Sequence, residues 1–340
     1  MDTTTQLQHV VDLTQVAEAR RSGAQFGSEL SFDNETASNL AIVVTELATN
    51  LAIHAGGGRL LFRQIQNSAG ERGLEILALD SGPGMSNVNA CLRDGFSTAG
   101  TPGNGLGAIR RISRTFDIYS KPNQGTVVLA EIWPAGAAKD SDTVPRRFDT
   151  GAINLAMKGE TVCGDSWAIR QGMDSAILLV IDGLGHGVFA AEASAAAVAA
   201  FRKHGQRAAN EYISIVNDAL RHTRGAAGAV AVIDRPKGTL TYCGIGNIAA
   251  VISNENGERH LVSHNGTLGH DAKVQREFVY PWGSSSLLIM VSDGLTTRWT
   301  LESYSGLRTR HPSIIAAVLF RDYSRDRDDA TVVVLREGEV

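Results

Sequence analysis

Cysteine is scarce in this chain of 340 residues: Cys91, Cys163 and Cys243 stand far apart and form no CxxC pair. That speaks against a disulfide framework or a thiolate zinc site, and predicts three reduced thiols in a cytoplasmic protein. An excess of positive charge is missing as well. The 32 Lys and Arg against 36 Asp and Glu leave a net charge of −4, which argues against a nucleic-acid footprint. No apolar run approaches the ~20 residues that a membrane span requires. The longest, Val188 to Phe201, is Ala-rich and contains Glu192, and reads as a helix packed in a soluble core. Met1 to Val11 has no basic segment followed by an apolar one, so no signal peptide is expected. Neither a membrane nor a nucleic acid is therefore expected as a partner.

What the chain does have is enough apolar residue, 43%, to build cores, and enough length for two domains. The break between them falls at Pro134-Ala-Gly-Ala-Ala-Lys-Asp-Ser-Asp-Thr-Val-Pro145, small and polar residues with a proline at each end. This predicts a first domain over 1–133, a linker over 134–147 and a second domain over 148–340. The halves share no repeat.

The second half is punctuated by acidic motifs. Gly164-Asp165, Asp182-Gly-Leu-Gly-His-Gly187, Ser292-Asp293-Gly294 and Asp328-Asp329-Ala330-Thr331 lie along it. Ala176 to Ile181 leads into Asp182, Leu287 to Val291 leads towards Asp293, and Thr331 to Leu335 follows Asp328. Short apolar runs bounded by Gly or Asp read as buried strands. Carboxylates at the ends of neighbouring strands can converge, and their hard oxygens suit Mg²⁺ or Mn²⁺. Several carboxylates around two such ions make a site for metal-assisted phosphate ester hydrolysis.

The first half predicts α+β structure: a helix over Leu13 to Leu30, and a second, capped at Asp33-Asn34-Glu35, running to about His54. Leu40, Val43, Val44, Leu47 and Leu51 give that helix an apolar face, and Glu46 and Asn50, four apart, share one side. Strands are expected at 59–66 and 73–79, then Asp80-Ser-Gly-Pro-Gly-Met85 and a glycine-rich loop, Gly95 to Gly107. A helix from Ala108 to Arg114 and strands around 116–120 and 125–133 follow.

Glu46-x-x-x-Asn50, Asp80-x-Gly82-x-Gly84 and Gly103-x-Gly105-x-Gly107 resemble the three nucleotide-binding boxes of the GHKL ATPase/kinase superfamily. The fuller stretches Glu46 to Gly56 and Asp94-Gly-Phe-Ser-Thr98 resemble anti-sigma-factor serine kinases of the stressosome switch type. The resemblance spans roughly residues 10 to 133 and implies a Bergerat-type ATP-binding α/β sandwich. It implies that Asn50 holds the Mg²⁺ on ATP and that Glu46 accepts the proton of an incoming serine hydroxyl. Asp80 would accept from the adenine amino group, with Gly82 and Gly84 admitting the base. The backbone of Gly103, Gly105 and Gly107 would face phosphate. Kinase turnover and mere nucleotide-gated binding both remain open, as does homodimerisation. His54 lies late in the box helix, and without a dimerising helix pair it does not suggest a histidine kinase.

From about Asn154 to Arg336 the chain resembles metal-dependent serine/threonine phosphatases of the PPM type, in the short form of sporulation and stress-response enzymes. The implied fold is a β-sandwich flanked by helices, the Ala-rich one after Gly187 and another over Glu211 to Thr223. The resemblance makes Asp182 the bridge between two Mn²⁺ or Mg²⁺ ions, with the Gly183 carbonyl on one of them. Asp293 and Asp328 would hold the second ion, and Asp165 would join through a metal-bound water. Asp329 stands where many relatives have Asn, and His186 reads as structural. The implied partners are STAS-domain phosphoproteins, with a downstream phosphatase or sigma-pathway regulator also open. Phosphorylation by one half and dephosphorylation by the other is the function the two resemblances imply together.

Overall fold

The computed structural model describes residues 4–92, 105–138, 148–272, 275–325 and 327–338. Gly103 and the Asp94 to Thr98 stretch lie outside the described residues. By contact the chain forms two units, one of residues 5–144 with 309–321, the other of residues 145–308 with 322–340 and the first four residues.

The first unit is built on a five-stranded antiparallel sheet in the order β1-β2-β3-β5-β4. Its strands are β1 (Gln6–Val10), β2 (Gly58–Gln66), β3 (Arg72–Leu79), β4 (Thr115–Ser120) and β5 (Thr126–Ile132). Strand β1 went unread in the sequence because its five residues, QLQHV, are a short edge element with little apolar signal. Helices α1 (Thr14–Glu29) and α2 (Asn34–His54) cover one face. As expected, Asp33 caps α2, its carboxylate accepting from Thr36 N at 2.7 Å. The core beneath joins Leu40, Val44 and Leu47 of α2 to Leu60, Phe62, Leu74, Ile76, Val128 and Ala130 of the sheet. By its length and composition α2 could cross a membrane, contrary to the expectation of no such run. One apolar face of it instead packs into this core, where Leu40, Val43, Val44 and Leu47 are at most 1% exposed, while Ile42 and Ile53 face out.

Strand residues alternate faces, so Leu61, Arg63, Glu75, Leu77 and Leu129 point the other way, and they too are buried. Helix α7 (Pro312–Tyr323) meets that face. Ser313 Oγ donates to Glu75 Oε2 at 2.6 Å, Arg63 pairs with Glu75 at 2.8 Å, and Arg310 pairs with Asp117 at 3.1 Å. The Arg59 guanidinium lies 5.0 Å from the Phe320 ring centre. Two short helices, α3 (Val88–Cys91) and α4 (Gly105–Ile112), complete the unit. Residues 134–138 are held to it: Ala138 N donates to Glu71, and Arg114 donates to the Ala137 and Ala138 carbonyls.

The second unit contains two five-stranded antiparallel sheets, in the orders β13-β10-β9-β8-β7 and β12-β11-β14-β15-β6. The strands are β6 (Phe148–Leu155), β7 (Asp165–Gln171), β8 (Ser175–Gly183), β9 (Ala226–Asp234), β10 (Thr239–Ile245), β11 (Ala249–Asn254), β12 (Gly257–His260), β13 (Phe278–Pro281), β14 (Leu287–Val291) and β15 (Ala330–Glu337). Leu178, Val180 and Tyr242 from one sheet pack with Ile252, Met290 and Val333 from the other. The alternate residues Ile177, Leu179 and Ile181 pack under α5 (Val188–Lys203) and α6 (Ala209–Ala219), against Ala193, Phe201 and Ile213. Strand β8 is thus apolar on both faces, which is why its run shows no alternation in sequence. The expected sandwich flanked by helices is the observed fold.

Two candidate active sites

In the first unit, Glu46 and Asn50 sit half-buried on α2, and Asp80 follows β3 directly. Asp80 Oδ1 accepts from Gly82 N at 2.8 Å and Thr126 N at 3.1 Å, which fixes the carboxylate. Burial raises its pKa; the two backbone donors and nearby Arg321 pull the other way. The Asp80 carbonyl accepts from Arg321 of α7 at 3.0 Å.

The glycines are explained by close approach. A Cβ on Gly82 would stand 2.8 Å from the Ala55 backbone, at the end of α2. Gly84 has φ +65°, and a Cβ there would overlap the Lys121 carbonyl oxygen. Helix α4 starts at Gly105, three residues earlier than expected, and a Cβ on Gly105 would stand 2.5 Å from Glu46 Oε2. The carboxylate therefore lies against the start of a helix, where unpaired backbone N–H groups favour anionic phosphate. Gly107, two residues further on, is buried.

In the second unit, strand register does most of the assembly. Asp165 opens β7 and pairs directly with Asp182 near the end of β8. Like charges directly opposite on paired strands repel. Ser292 and Asp293 follow β14, and Asp328 and Asp329 precede β15, its neighbour. Ser292 N donates to the Thr331 carbonyl at 3.0 Å, and Thr331 N donates to Ser292 Oγ at 2.9 Å, which locks these two strand ends together. Asn154 Nδ2 bridges Thr331 Oγ1 at 2.8 Å and the Asp165 carbonyl at 3.2 Å.

The cluster is electrostatically loaded. Burial, first, and then the neighbouring carboxylates push the pKa of Asp182 up. Asp165 is raised mainly by burial, against hydrogen bonds from Ser292 and Thr331, and Asp293 by burial and Asp328. Asp165 Oδ2 is buried and has no hydrogen-bond partner among the described residues. A buried, unpaired carboxylate oxygen in an all-oxygen set fits a hard divalent cation. The side chains do not stand as a finished cage: among the described residues no three metal-type donors close on one point. Asn247 Nδ2 donates to Asp293 Oδ2 at 2.7 Å, and Asp293 shares a hydrogen bond with Asp182.

Three features escaped the sequence reading. Asp329, of uncertain role there, is a clamp: its Oδ1 accepts from Met157 N at 2.8 Å and its Oδ2 from Gly164 N at 2.9 Å, which sets the strand entry that delivers Asp165. Asn247 lies in no acidic motif, and only its place before β11 brings it to Asp293. Glu160 Oε1 is 2.7 Å from His186 Nδ1, which agrees with a structural role for His186. Gly183 is required by packing, since a Cβ there would overlap the Ala190 carbonyl oxygen.

Two protein families match the chain, one in each half. The histidine kinase-like ATPase domain family matches residues 10–132, and the stage II sporulation protein E family matches residues 173–337. The serine/threonine-protein kinase RsbT of Bacillus subtilis is 33% identical over 118 residues, 35% of this chain and 88% of that protein. The phosphoserine phosphatase RsbX of Bacillus subtilis is 28% identical over 149 residues, 44% of this chain and 75% of that protein. A structure from work on the bacterial stressosome as a modular system controlling secondary messenger signalling covers 56% of this chain and 99% of its own. It has a TM-score of 0.52 and 27% identity. A structure of RsbX in complex with magnesium covers 56% of this chain and 96% of its own, with a TM-score of 0.50 and 23% identity, and so shares the fold.

Proposed function

Because this chain belongs to the family of the kinase RsbT through its first domain and carries a stage II sporulation protein E domain of the PPM phosphatase fold as its second, we propose that it both phosphorylates and dephosphorylates serine or threonine on partners in a bacterial partner-switching pathway. The relatives RsbT and RsbX bear these two activities in their names, one kinase and one phosphatase. The observation that carries the reading is the presence in one chain of two dissimilar sites. Glu46 is poised at the start of α4, and an oxygen-only cluster surrounds the facing pair Asp165 and Asp182.

In the first domain, Asn50 would hold Mg²⁺ on ATP, Asp80 would select the base, and Glu46 would take the hydroxyl proton as the γ-phosphate transfers. Gly103, outside the described residues, and Gly105 and Gly107 of the first turn of α4 would keep the backbone open to phosphate. In the second, Asp182, the Gly183 carbonyl, Asp293, Asp328 and, more distantly, Asp165 would hold two Mn²⁺ or Mg²⁺ ions. When bound, these ions supply an activated water for attack on phosphorus. The protein's own part is to present the oxygens: Asp329 fixes the Asp165 strand entry, Asn247 orients Asp293, and Asn154 ties Thr331 to the Asp165 backbone. STAS-domain phosphoproteins are the substrate class, and the cytoplasm is the compartment.

Transfer of the γ-phosphate of ATP to a STAS-domain protein encoded beside this gene tests the proposal. In an Asp293→Asn variant the label is expected to accumulate on the partner, to vanish when Glu46→Ala is added, and to be removed when Asp293 is restored. ATP binding without any labelled partner would overturn the kinase half. One contact favours a second reading, that the first domain is a nucleotide sensor. The Arg321 guanidinium on the Asp80 carbonyl ties a nucleotide-site residue to a helix that ends five residues before Asp328.

A further inference from the structure

Just past Asp182, the turn at Leu184 and the start of α5 carry three large apolar side chains that the fold leaves in water. Leu184 is 49% exposed, Val188 59% and Phe189 58%. Single exposed apolar residues are ordinary, but three within six positions of sequence, directly after the Asp182 strand, mark an interaction surface. The local structure offers no other reason for them. Val188 and Phe189 form the first turn of α5, a position where acidic or polar residues suit the helix dipole, and that turn holds no acid. The inward face of α5 is already supplied by Ala190, Ala193 and Ala197.

A cation stands with them. The Arg224 guanidinium lies 4.7 Å from the centre of the Phe189 ring. Its Nη1 lies against Gly185, 3.3 Å from where a Cβ there would stand. Arg224 precedes β9, whose Ala226 and Ala227 pair with Gly183 and Asp182, and Leu184 N donates to the Gly225 carbonyl at 3.0 Å. The apolar group and the arginine are therefore held in register with the metal-ligand strand. Stacking on an aromatic face holds a guanidinium in place while its N–H groups stay available to an anion.

We propose that Leu184, Val188, Phe189 and Arg224 form the docking surface for the phosphoprotein substrate. It accepts a phosphoserine or phosphothreonine segment that carries an apolar side chain close to the phosphorylated residue. The proposal rests on the phosphatase reading of the Asp182 site. Continuity with that site and charge complementarity argue for this occupant: the acidic cluster repels anions until metal is bound, and Arg224 offers the nearby positive charge that a phosphorylated segment needs. The apolar group then supplies discrimination that a phosphate group alone cannot.

The test compares three substrates in the presence of Mn²⁺: para-nitrophenyl phosphate, a phosphoserine peptide with leucines flanking the phosphoserine, and the same peptide with serines in place of the leucines. The unaltered chain is expected to favour the leucine peptide in kcat/KM by about tenfold or more, the scale set by seating one apolar side chain. The Leu184→Ser, Phe189→Ser double variant is expected to lose that preference while hydrolysing para-nitrophenyl phosphate as before. Equal use of both peptides by the unaltered protein, or a preference that survives the double substitution, overturns the docking surface alone. A parallel loss on para-nitrophenyl phosphate assigns these residues a structural role and also overturns it. If the unaltered protein does not hydrolyse para-nitrophenyl phosphate at all, the phosphatase reading fails first and the surface falls with it.

Discussion

Asp165 and Asp182 face each other across one strand pair, and each resists ionisation in the folded protein. The consequence for stability has a definite sign. An aspartate whose folded pKa lies above its unfolded value holds its proton more tightly when folded, so stability falls as pH rises through that interval. The window opens near 3.8, the ordinary value of an aspartate, and extends up through the raised folded values. At neutral pH without metal the cluster therefore works against the fold, and a bound cation reverses this. Asp182→Asn is expected to stabilise the metal-free protein at pH 7 by about 1–2 kcal/mol. The gain should disappear near pH 4, and the order should invert when Mn²⁺ is added. Thermal unfolding at the two pH values, with and without Mn²⁺, measures all three; a destabilised metal-free variant at pH 7 would refute the account.

Among elements, helix α2 was the most legible, because its signals agree. Asp33 caps it, an apolar face runs from Leu40 to Leu51, and Gly56 (φ +72°) and Gly57 (φ +117°) stop it. Strands β8, β14 and β15 were legible for a different reason: each is a continuous apolar run that ends at or begins after an aspartate. The acidic motifs could be read because the proposed metal chemistry demands their residue types, whereas Asn247 and Glu160 could not. They reach the site by tertiary placement and sit in unremarkable sequence. Asp33→Ala is expected to cost about 1 kcal/mol, the usual worth of an N-cap. Because α2 carries both Glu46 and Asn50, ATP affinity should weaken with it. Unfolding and nucleotide-binding titrations on the same variant check both; unaltered stability would mean the Asp33–Thr36 hydrogen bond adds nothing to the helix.

At the scale of the whole molecule, the break read at 134–147 captures where the motifs change, but the contacts divide the chain differently. Residues 309–321 lie between two acidic motifs in sequence, yet cluster with the first unit. Nothing in the sequence reading signalled this. An apolar helix after Pro312 carries no mark of which sheet it will cover, and its partners lie some two hundred residues away. The physical reason for its placement is the second face of the sheet. Leu61, Leu77 and Leu129 are at most 2% exposed, and Glu75 is 1% exposed with Arg63 and Ser313 as its partners. A fragment of residues 1–138 would expose these leucines and remove the Ser313 hydroxyl from a buried carboxylate. Loss of one partner of a buried charged group costs about 1–3 kcal/mol, and the lost apolar burial adds to that. The fragment is therefore expected to unfold at lower denaturant than the same fragment joined through a flexible Gly/Ser linker to residues 309–323. Ser313→Ala in the joined version should abolish part of that gain. Equal midpoints for the two fragments would show that the first unit is complete without α7, and that the helix adds no stability to the sheet it meets.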